Sequence, residues 1–177
     1  MKIFIIGLMG SGKSHTGKKL AEKLGFDFID LDHYIETNQA KTISEIFDQQ
    51  GEQKFRAIEQ FHLLELVERK NTVIATGGGT PCFFQNMKFM NDHGLTIYLR
   101  TPTDLLIKRL FNELENRPLV KEMNTKELKQ FLEIQLKERL PFYESAQLIY
   151  FQEDDGQNIE NELIDRLDLL KHSISDD

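Results

Sequence analysis

Short apolar runs alternate along the chain with longer segments of helical periodicity. The runs span residues 2–6, 26–30, 71–76, 95–99 and 148–151. Runs this short, bounded by turn residues, are typical of strands buried in a parallel sheet. The segments between them carry apolar residues three and four positions apart, as amphipathic helices do. This alternation predicts one three-layer α/β domain over residues 1–177, with a five-stranded parallel sheet flanked by helices.

The sequence also predicts several helix boundaries. A helix over residues 42–47 begins with Thr-Ile-Ser-Glu, which has the form of a capping box, and Gly51 breaks the helical pattern soon after. A long amphipathic helix is expected over 52–70, and another helix over 83–93. A later helix is expected to end near Pro141, because proline interrupts helices.

The turn after the first strand carries the most specific motif. Residues 7–14 read Gly-Leu-Met-Gly-Ser-Gly-Lys-Ser and fit the phosphate-loop pattern G-x-x-x-x-G-K-[ST] at every fixed position. The glycines let the backbone curve around an anion, and the helix that follows adds its positive dipole end. Lys13 is expected to reach the β- and γ-phosphates, and Ser14 to hold Mg²⁺. The motif therefore predicts a nucleoside triphosphate site.

Polar and glycine residues also follow the next two predicted strands. Asp30 and Asp32 end the second, and Gly77-Gly78-Gly79 follow the third. Residues two apart on an extended chain face the same side, so we expect both carboxylates to point together. The alternatives are that the aspartates only cap a helix and that the glycines form a plain flexible turn. Three strands that end at Gly7, Asp30 and Gly77 favour a ligand site at that edge of the sheet.

Composition narrows the possible partners. A net charge of −7 argues against nucleic acid, and no stretch approaches the ~20 apolar residues of a membrane span. Cys82 is the only cysteine, so no internal disulfide can form; with no signal peptide recognisable, a cytoplasmic location is expected. The histidines are scattered and make no metal cluster, so Mg²⁺ beside the phosphates is the metal expected.

Two arginines have open interpretations on local grounds. Arg56 lies four residues after Glu52 and three before Glu59, so helical spacing alone favours an exposed surface ion pair. Arg117 lies at the centre of a polar segment, about residues 112–125, that Pro118 interrupts. This segment is either a mobile lid or an ordinary surface loop.

In combination, these motifs resemble those of the shikimate kinases over nearly the full length of the chain. The matching segments are residues 7–14, Phe28-x-Asp30-x-Asp32, Gly51-Glu52-x-x-Phe55-Arg56-x-x-Glu59, Ala75-Thr76-Gly77-Gly78-Gly79, Arg117-Pro118-Leu119 and Arg139-x-Pro141-x-Tyr143. The phosphate loop belongs to a whole superfamily. The Phe-Arg-x-x-Glu and Thr-Gly-Gly-Gly elements separate the chain from gluconate and nucleotide kinases.

The resemblance implies a monomer that phosphorylates the 3-hydroxyl of shikimate with ATP, a step towards chorismate and the aromatic amino acids. The implied catalytic residues are Lys13, Asp32, which holds the substrate hydroxyls and acts as base, and Arg117, which reaches the phosphates from the lid. The implied nucleotide-binding residues are Gly10, Ser11, Gly12, Lys13, Ser14, His15, Arg109 and Arg117. The implied shikimate-binding residues are Asp32, Arg56, Gly78 and Arg139, and the implied Mg²⁺ ligands are Ser14 and Asp30.

Two positions depart from the family pattern. His15 replaces the usual small hydroxyl residue, which removes a side-chain contact at the α-phosphate. Ala146 follows Tyr143 by three positions rather than four, a change that affects the approach to the last strand but not Arg139. Two other functions stay open: another small-molecule kinase of the same fold, such as a gluconate kinase, and a regulatory module that binds nucleotide without transferring phosphate.

Overall fold

Parallel strands form one central sheet. The computed structural model describes residues 1–112, 123–154 and 158–175. Within these ranges the strands are β1 (Lys2–Ile6), β2 (Asp27–Asp30), β3 (Thr72–Ala75), β4 (Leu95–Arg100) and β5 (Leu148–Phe151). Their order is β2-β3-β1-β4-β5, and every neighbouring pair is parallel. The predicted α/β fold with a five-stranded parallel sheet is confirmed.

Helices cover both faces of this sheet. They are α1 (Lys13–Leu24), α2 (Leu31–Gln39), α3 (Ile43–Glu65), α4 (Asn86–His93), α5 (Thr103–Asn112), α6 (Thr125–Tyr143) and α7 (Ile159–Ser175), with short 3₁₀ turns at Leu66–Glu68 and Thr80–Cys82. One apolar core joins the sheet to α2, α3, α4, α5 and α6, and the other joins it to α1 and α7. Among the described helices, none combines the length and the apolar composition that crossing a membrane requires.

The helix that begins at Thr42 follows the sequence prediction with one difference in extent. Thr42 and Glu45 form a reciprocal capping box, in which the Thr42 N–H donates to Glu45 Oε2 at 2.7 Å. The helical pattern continues beyond residue 47 and is interrupted at Gly51, whose φ of 77° and ψ of 168° are not helical. The second part ends at Glu65, five residues before the expected end at Lys70.

Two other helix boundaries differ from the prediction for backbone reasons. Helix α4 begins at Asn86 rather than at residue 83, because Phe84 and Gln85 adopt positive φ angles of 49° and 60°. Helix α6 continues through Pro141, whose missing N–H removes one helical hydrogen bond, and it ends two residues later at Tyr143. The Glu144 N–H still reaches the Leu140 carbonyl at 2.9 Å.

The carboxyl ends of β1, β2 and β3 lie level at one edge of the sheet. Ala75 pairs with Ile5 on one side and with Asp30 on the other. The Thr76 N–H continues this ladder by donating to the Ile5 carbonyl at 3.1 Å. The segments that follow these strands therefore start side by side, as the sequence predicts, and they form the walls of a cavity.

Candidate active site

A cavity of about 560 Å³ opens at this edge of the sheet. The phosphate loop, the start of α1 and the residues that follow β2 and β3 line it. The predicted site residues that it brings together are Gly10, Ser11, Gly12, Lys13, Ser14, His15, Asp30, Asp32, Gly78 and Arg109.

The phosphate loop is built on two glycines in the left-handed conformation. Gly10 has a φ of 78° and Gly12 a φ of 83°, which residues with a side chain rarely adopt. Gly12 caps α1, and its carbonyl accepts the first helical hydrogen bond from the Thr16 N–H at 2.8 Å. The Lys13 ammonium donates to the Leu8 carbonyl at 3.0 Å, so the side chain folds back over the loop. The loop thus presents a cation and a helix N-terminus to the cavity.

Asp30 joins the phosphate loop to the start of α2. Its Oδ2 accepts a hydrogen bond of 2.5 Å from Ser14 Oγ. Its Oδ1 accepts from the N–H groups of Asp32 at 3.1 Å and His33 at 3.3 Å, which caps α2. Capping and a place in the cavity, which the sequence left as alternatives for Asp30, therefore occur together. Ser14 and Asp30 present two hard oxygen atoms to the cavity, the kind of ligand that Mg²⁺ prefers.

Asp32 lies in the first turn of α2 and not on an extended chain. The geometric reason given for its pairing with Asp30 was therefore wrong, because β2 ends at Asp30. The helical turn nevertheless leaves both carboxylates in the same cavity. Burial raises the pKa of Asp32 to about 6; the carboxylates of Glu59 and Asp30 add to this rise, and Lys13 opposes it.

The triple glycine is required by close approach rather than by flexibility alone. A Cβ at Gly77 would lie 2.9 Å from both Asp32 Oδ1 and Glu59 Oε1. A Cβ at Gly79 would lie 2.6 Å from Arg56 Nη2. Neither distance is compatible with a side chain, so the backbone of this turn lies directly against three charged groups.

Arg56 is buried, with only 8% of its surface exposed. It pairs with Glu52 at 3.1 Å and Glu59 at 2.9 Å, and its guanidinium lies 4.3 Å from the centre of the Phe83 ring. The expectation from helical spacing alone, an exposed surface pair, is wrong. The two partners were foreseen, and Glu52 is indeed exposed. Arg56 and Glu59, however, lie on a face of α3 that is turned inward. There the guanidinium lies against Phe83 and Gly79.

Glu59 is a buried acid to which the sequence analysis gave no role. It is fully buried, and it accepts hydrogen bonds from Arg56 Nη1 at 2.9 Å and Thr80 Oγ1 at 2.5 Å. Its neighbours on the same face of α3 include Phe55 and Leu63, four residues away on either side, which are also buried. A lone acid among apolar positions of a helix was the signal available in the sequence.

Helix α6 supports the glycine turn from the other side. The Tyr143 hydroxyl, on a fully buried ring, donates to the Gly78 carbonyl at 2.6 Å. A Cβ at Gly78 would lie 3.1 Å from Arg139 Nη1. Cys82 lies within the electrostatic influence of both Arg139 and Arg56, although burial dominates and raises the pKa of its thiol to about 11. Arg56 and Arg139 therefore flank one region beyond the glycine turn, next to the cavity rather than in its lining.

Arg109 and Gln152 bind the backbone of the phosphate loop. Arg109 Nη1 donates to Gln152 Oε1 at 2.9 Å and to the Gly10 carbonyl at 3.4 Å. Gln152 Nε2 donates to the Ser11 carbonyl at 2.8 Å. The sequence analysis missed Gln152; its position directly after the last strand, at the ligand edge of the sheet, was the only available signal.

Three other predictions have different outcomes. Arg117 and most of the proposed lid, residues 113–122, lie outside the described residues. His15 is exposed and lines the cavity at the phosphate loop. The shortened spacing after Tyr143 is accommodated by a turn in which the Ala146 N–H donates to the Tyr143 carbonyl at 3.1 Å, and Arg139 keeps its place beside Gly78.

Comparisons with known proteins identify the family. The family model for shikimate kinase matches residues 9–168. A curated shikimate kinase of Azobacteroides pseudotrichonymphae is 48% identical over 151 residues, which cover 85% of this chain and 89% of that protein. The crystal structure of shikimate kinase from Bacteroides thetaiotaomicron has a TM-score of 0.90 at 40% identity and covers 97% of this chain and 98% of that one.

A structure with a bound ligand is also similar. The shikimate kinase from Acinetobacter baumannii, in complex with shikimate, has a TM-score of 0.82 at 38% identity, covering 97% of this chain and 93% of that one. The family model spans most of the sequence, and these relatives are matched over nearly their full lengths. We conclude that the chain belongs to the shikimate kinase family.

Proposed function

We propose that the protein transfers the γ-phosphate of ATP to the 3-hydroxyl of shikimate, giving shikimate 3-phosphate and ADP. Membership of the family supports this reaction. The observation that carries it is the position of Asp32, which lines the cavity of the phosphate loop and also lies against Gly77. Asp32 thus stands between the phosphate loop and the region flanked by Arg56 and Arg139, where an acceptor hydroxyl has to be.

The nucleotide half of the site suits a triphosphate. Lys13, the left-handed glycines and the start of α1 supply positive charge and inward N–H groups. Phosphoryl transfer needs mainly the positioning of its reactants and the neutralisation of phosphate charge. We assign Gly10, Ser11, Gly12, Lys13, Ser14, His15 and Arg109 to ATP binding.

The acceptor half suits a hydroxylated carboxylate. A guanidinium matches a carboxylate with two parallel hydrogen bonds, so Arg56 and Arg139 are the natural partners of the shikimate carboxylate. Arg56 has five N–H donors, and three of them bond Glu52 and Glu59 among the described residues. The remaining donors are available for a substrate. Gly78 would contribute backbone contact.

Asp32 has the properties of a base for the acceptor hydroxyl. With a pKa of about 6 it is ionised at neutral pH and still a stronger base than an ordinary aspartate. As the new bond forms between the shikimate oxygen and the γ-phosphorus, the bond from that phosphorus to the ADP oxygen breaks, and the hydroxyl proton moves to Asp32. Lys13 stabilises the charge that collects on the phosphate oxygens.

We also propose that Mg²⁺ binds at Ser14 and Asp30. Mg²⁺ is usually held by one or two protein oxygens together with water and substrate phosphates, which fits a hydroxyl and a carboxylate that are already 2.5 Å apart. Among the described residues no group of three His, Cys, Asp or Glu side chains could hold a metal ion alone. When bound, the ion would neutralise charge on the phosphates.

The proposal includes three features that rest on the family resemblance. Arg117, from the segment of about 112–125, would reach the phosphates and close over the site, which would exclude water and limit hydrolysis of ATP. The protein would act as a monomer. It would act in the cytoplasm, where ATP is available.

A coupled assay of ADP release tests the proposal. Mixtures of protein, ATP and Mg²⁺ would contain shikimate, gluconate or no acceptor, and the Lys13→Ala variant serves as control. We expect release that depends on shikimate and is lost in the variant. A preference for gluconate would establish the other small-molecule kinase. ADP binding without transfer to either acceptor would favour the regulatory module.

A further inference from the structure

Gln152 is a buried amide in direct contact with the phosphate loop. It follows β5, and its backbone N–H donates to the Arg100 carbonyl at 2.9 Å, which extends the sheet by one residue. Only 2% of its surface is exposed, although it reaches the edge of the cavity. A buried amide is costly unless its polar atoms are paired, so its contacts indicate what it does there.

The side chain of Gln152 is fully engaged. Its Nε2 donates to the Ser11 carbonyl at 2.8 Å and to Thr101 Oγ1 at 2.9 Å, and its Oε1 accepts from Arg109 Nη1 at 2.9 Å. A carbonyl only accepts and a guanidinium only donates, so these two partners together determine which end of the amide is nitrogen. The orientation of the Gln152 amide therefore follows from its surroundings.

The hydrogen bond to Ser11 determines the direction of a neighbouring N–H group. The peptide bond between Ser11 and Gly12 is planar and trans, so its carbonyl and its N–H point in opposite directions. Because Gln152 Nε2 bonds the Ser11 carbonyl, the Gly12 N–H must point away from Gln152. Gly12 itself lines the cavity, so this N–H is placed to meet a phosphate there. The same contact keeps a carbonyl dipole away from the place where phosphate would bind.

The loop needs such an external support because of its composition. Gly10 and Gly12 flank Ser11, and glycine permits many more backbone conformations than other residues. Arg109 reinforces the arrangement through its contacts with the Gly10 carbonyl and with Gln152. Without these contacts the peptide units around Ser11 would be freer to rotate, and the anion site would be less well ordered before ATP arrives.

We propose that Gln152 is a positioning residue for ATP, which orients the Ser11–Gly12 peptide so that the Gly12 N–H faces the phosphates. It acts through the loop and on the nucleotide half alone. The inference rests on the proposed binding of ATP at this loop. It does not depend on which acceptor is phosphorylated.

Two substitutions separate the contacts of Gln152. Gln152→Met keeps the length of the side chain and loses all three of its hydrogen bonds. Gln152→Glu keeps an acceptor for Arg109 but has no donor for the Ser11 carbonyl. We expect either variant to raise the KM for ATP and the Kd for ADP about tenfold, as for the loss of an oriented hydrogen bond to a charged group, with the KM for shikimate within about twofold.

Tyr150→Phe, on β5 just before Gln152, is the matched control. It removes a hydrogen bond of 2.8 Å from the Tyr150 hydroxyl to Glu162, and it should leave both KM values within about twofold. The melting temperature of each variant is also measured, so that a loss of stability is distinguished from a loss of affinity. If Gln152→Met does not fold, Gln152→Asn takes its place. It keeps an amide at the buried position, but its side chain is too short to reach both Ser11 and Arg109.

Several outcomes would overturn the inference. A lower melting temperature with an unchanged KM for ATP would make Gln152 a structural residue only. Equal rises in the KM values for ATP and shikimate would also show that Gln152 has only a structural role. Wild-type ADP affinity in Gln152→Glu would assign the effect to Arg109 rather than to the Ser11 carbonyl. Titration with ADP alone tests the inference even if no phosphate transfer is found, so its failure and that of the proposed reaction are distinguishable.

Discussion

Asp32 is ionised at neutral pH, although its surroundings disfavour a negative charge. Burial, Glu59 and Asp30 together raise its pKa from 3.8 to about 6. A pKa that is higher in the folded than in the unfolded state means that the folded state binds the proton more tightly. The stabilisation from that proton is fully present below about pH 4 and is lost as the pH rises through about 6, so the charged group destabilises the fold at neutral pH.

Replacing Asp32 by asparagine should therefore stabilise the protein while it abolishes most turnover. A shift of two pKa units corresponds to at most about 3 kcal/mol, or a rise of about 5–10 °C in melting temperature near neutral pH. The gain should be about half as large at pH 5. Thermal melts at both pH values, with the exposed Asp48→Asn as control, would check this. A lower melting temperature at neutral pH would contradict the assigned pKa.

Arg56 carries both a structural and a substrate-binding role in this interpretation. Arg56→Lys keeps the positive charge near Glu59 but loses the planar fork that suits a carboxylate. We expect the KM for shikimate to rise at least about 30-fold, which corresponds to the lower end of the roughly 2–5 kcal/mol of a buried charge pair, with the KM for ATP nearly unchanged. Arg100→Lys, at an exposed pair with Glu144, is the matched control. A rise in the KM for ATP instead would place Arg56 in the other half of the site.

Among the structural elements, the triple-glycine turn lies between α3 and α6, where the two halves of the proposed site meet. It touches Asp32 and Glu59 at Gly77, Arg139 at Gly78 and Arg56 at Gly79. Three adjacent positions thus contact charged groups from three different helices. A small displacement of this turn would move the carboxylate and the arginines relative to one another.

Gly79→Ala tests this role without straining the backbone. Gly79 has a φ of −89° and a ψ of −17°, which alanine adopts freely, so any effect comes from the contact of its Cβ with Arg56. Glu52, Glu59 and the Phe83 ring hold the guanidinium in place. We expect the KM for shikimate to rise about tenfold and the KM for ATP to stay within about twofold.

The control is a glycine whose substitution strains the backbone but makes no new contact. Gly25 ends α1 with a φ of 66° and has no atom within 4 Å of where a Cβ would be, so Gly25→Ala strains the backbone without making a contact. It should lower the melting temperature, by a cost of about 1 kcal/mol, and leave both KM values unchanged. If both variants changed stability alone, the glycine turn would have no special connection with the substrate.

Local patterns predicted the strands well and the burial of site residues poorly. Each strand was located to within one residue at either end, because a buried parallel strand is a short apolar run with polar or glycine neighbours. Helical spacing correctly paired Arg56 with Glu59, but spacing does not reveal whether a helix face meets solvent. Phe83 and Gly79, which bury Arg56, come from a distant part of the chain. Gln152 bonds a residue 141 positions away, and no local pattern contains such a contact.

On the scale of the whole molecule, Asp32 connects the phosphate loop with the proposed acceptor region. Asp32 lines the cavity of the phosphate loop together with Lys13, and it also lies against Gly77, next to Glu59. Charges in both halves act on its pKa, since Lys13 lowers it and Glu59 raises it. The pH dependence of the reaction should therefore report on the acceptor half as well as on the phosphate loop.

Asp32 must be ionised to accept the hydroxyl proton, so kcat/KM for shikimate should fall on the acidic side of the pH profile. Glu59→Gln removes a negative charge that raises the pKa of Asp32, and it should move this acidic limb to lower pH. The variant also weakens the hold on Arg56, so the position of the limb, and not the absolute rate, is the quantity compared. The measurement is a pH–rate profile of both proteins at saturating ATP and Mg²⁺. An acidic limb at the same pH in both would assign it to another group, such as the ATP phosphates, and would remove the support that the pKa of Asp32 gives to its role as base.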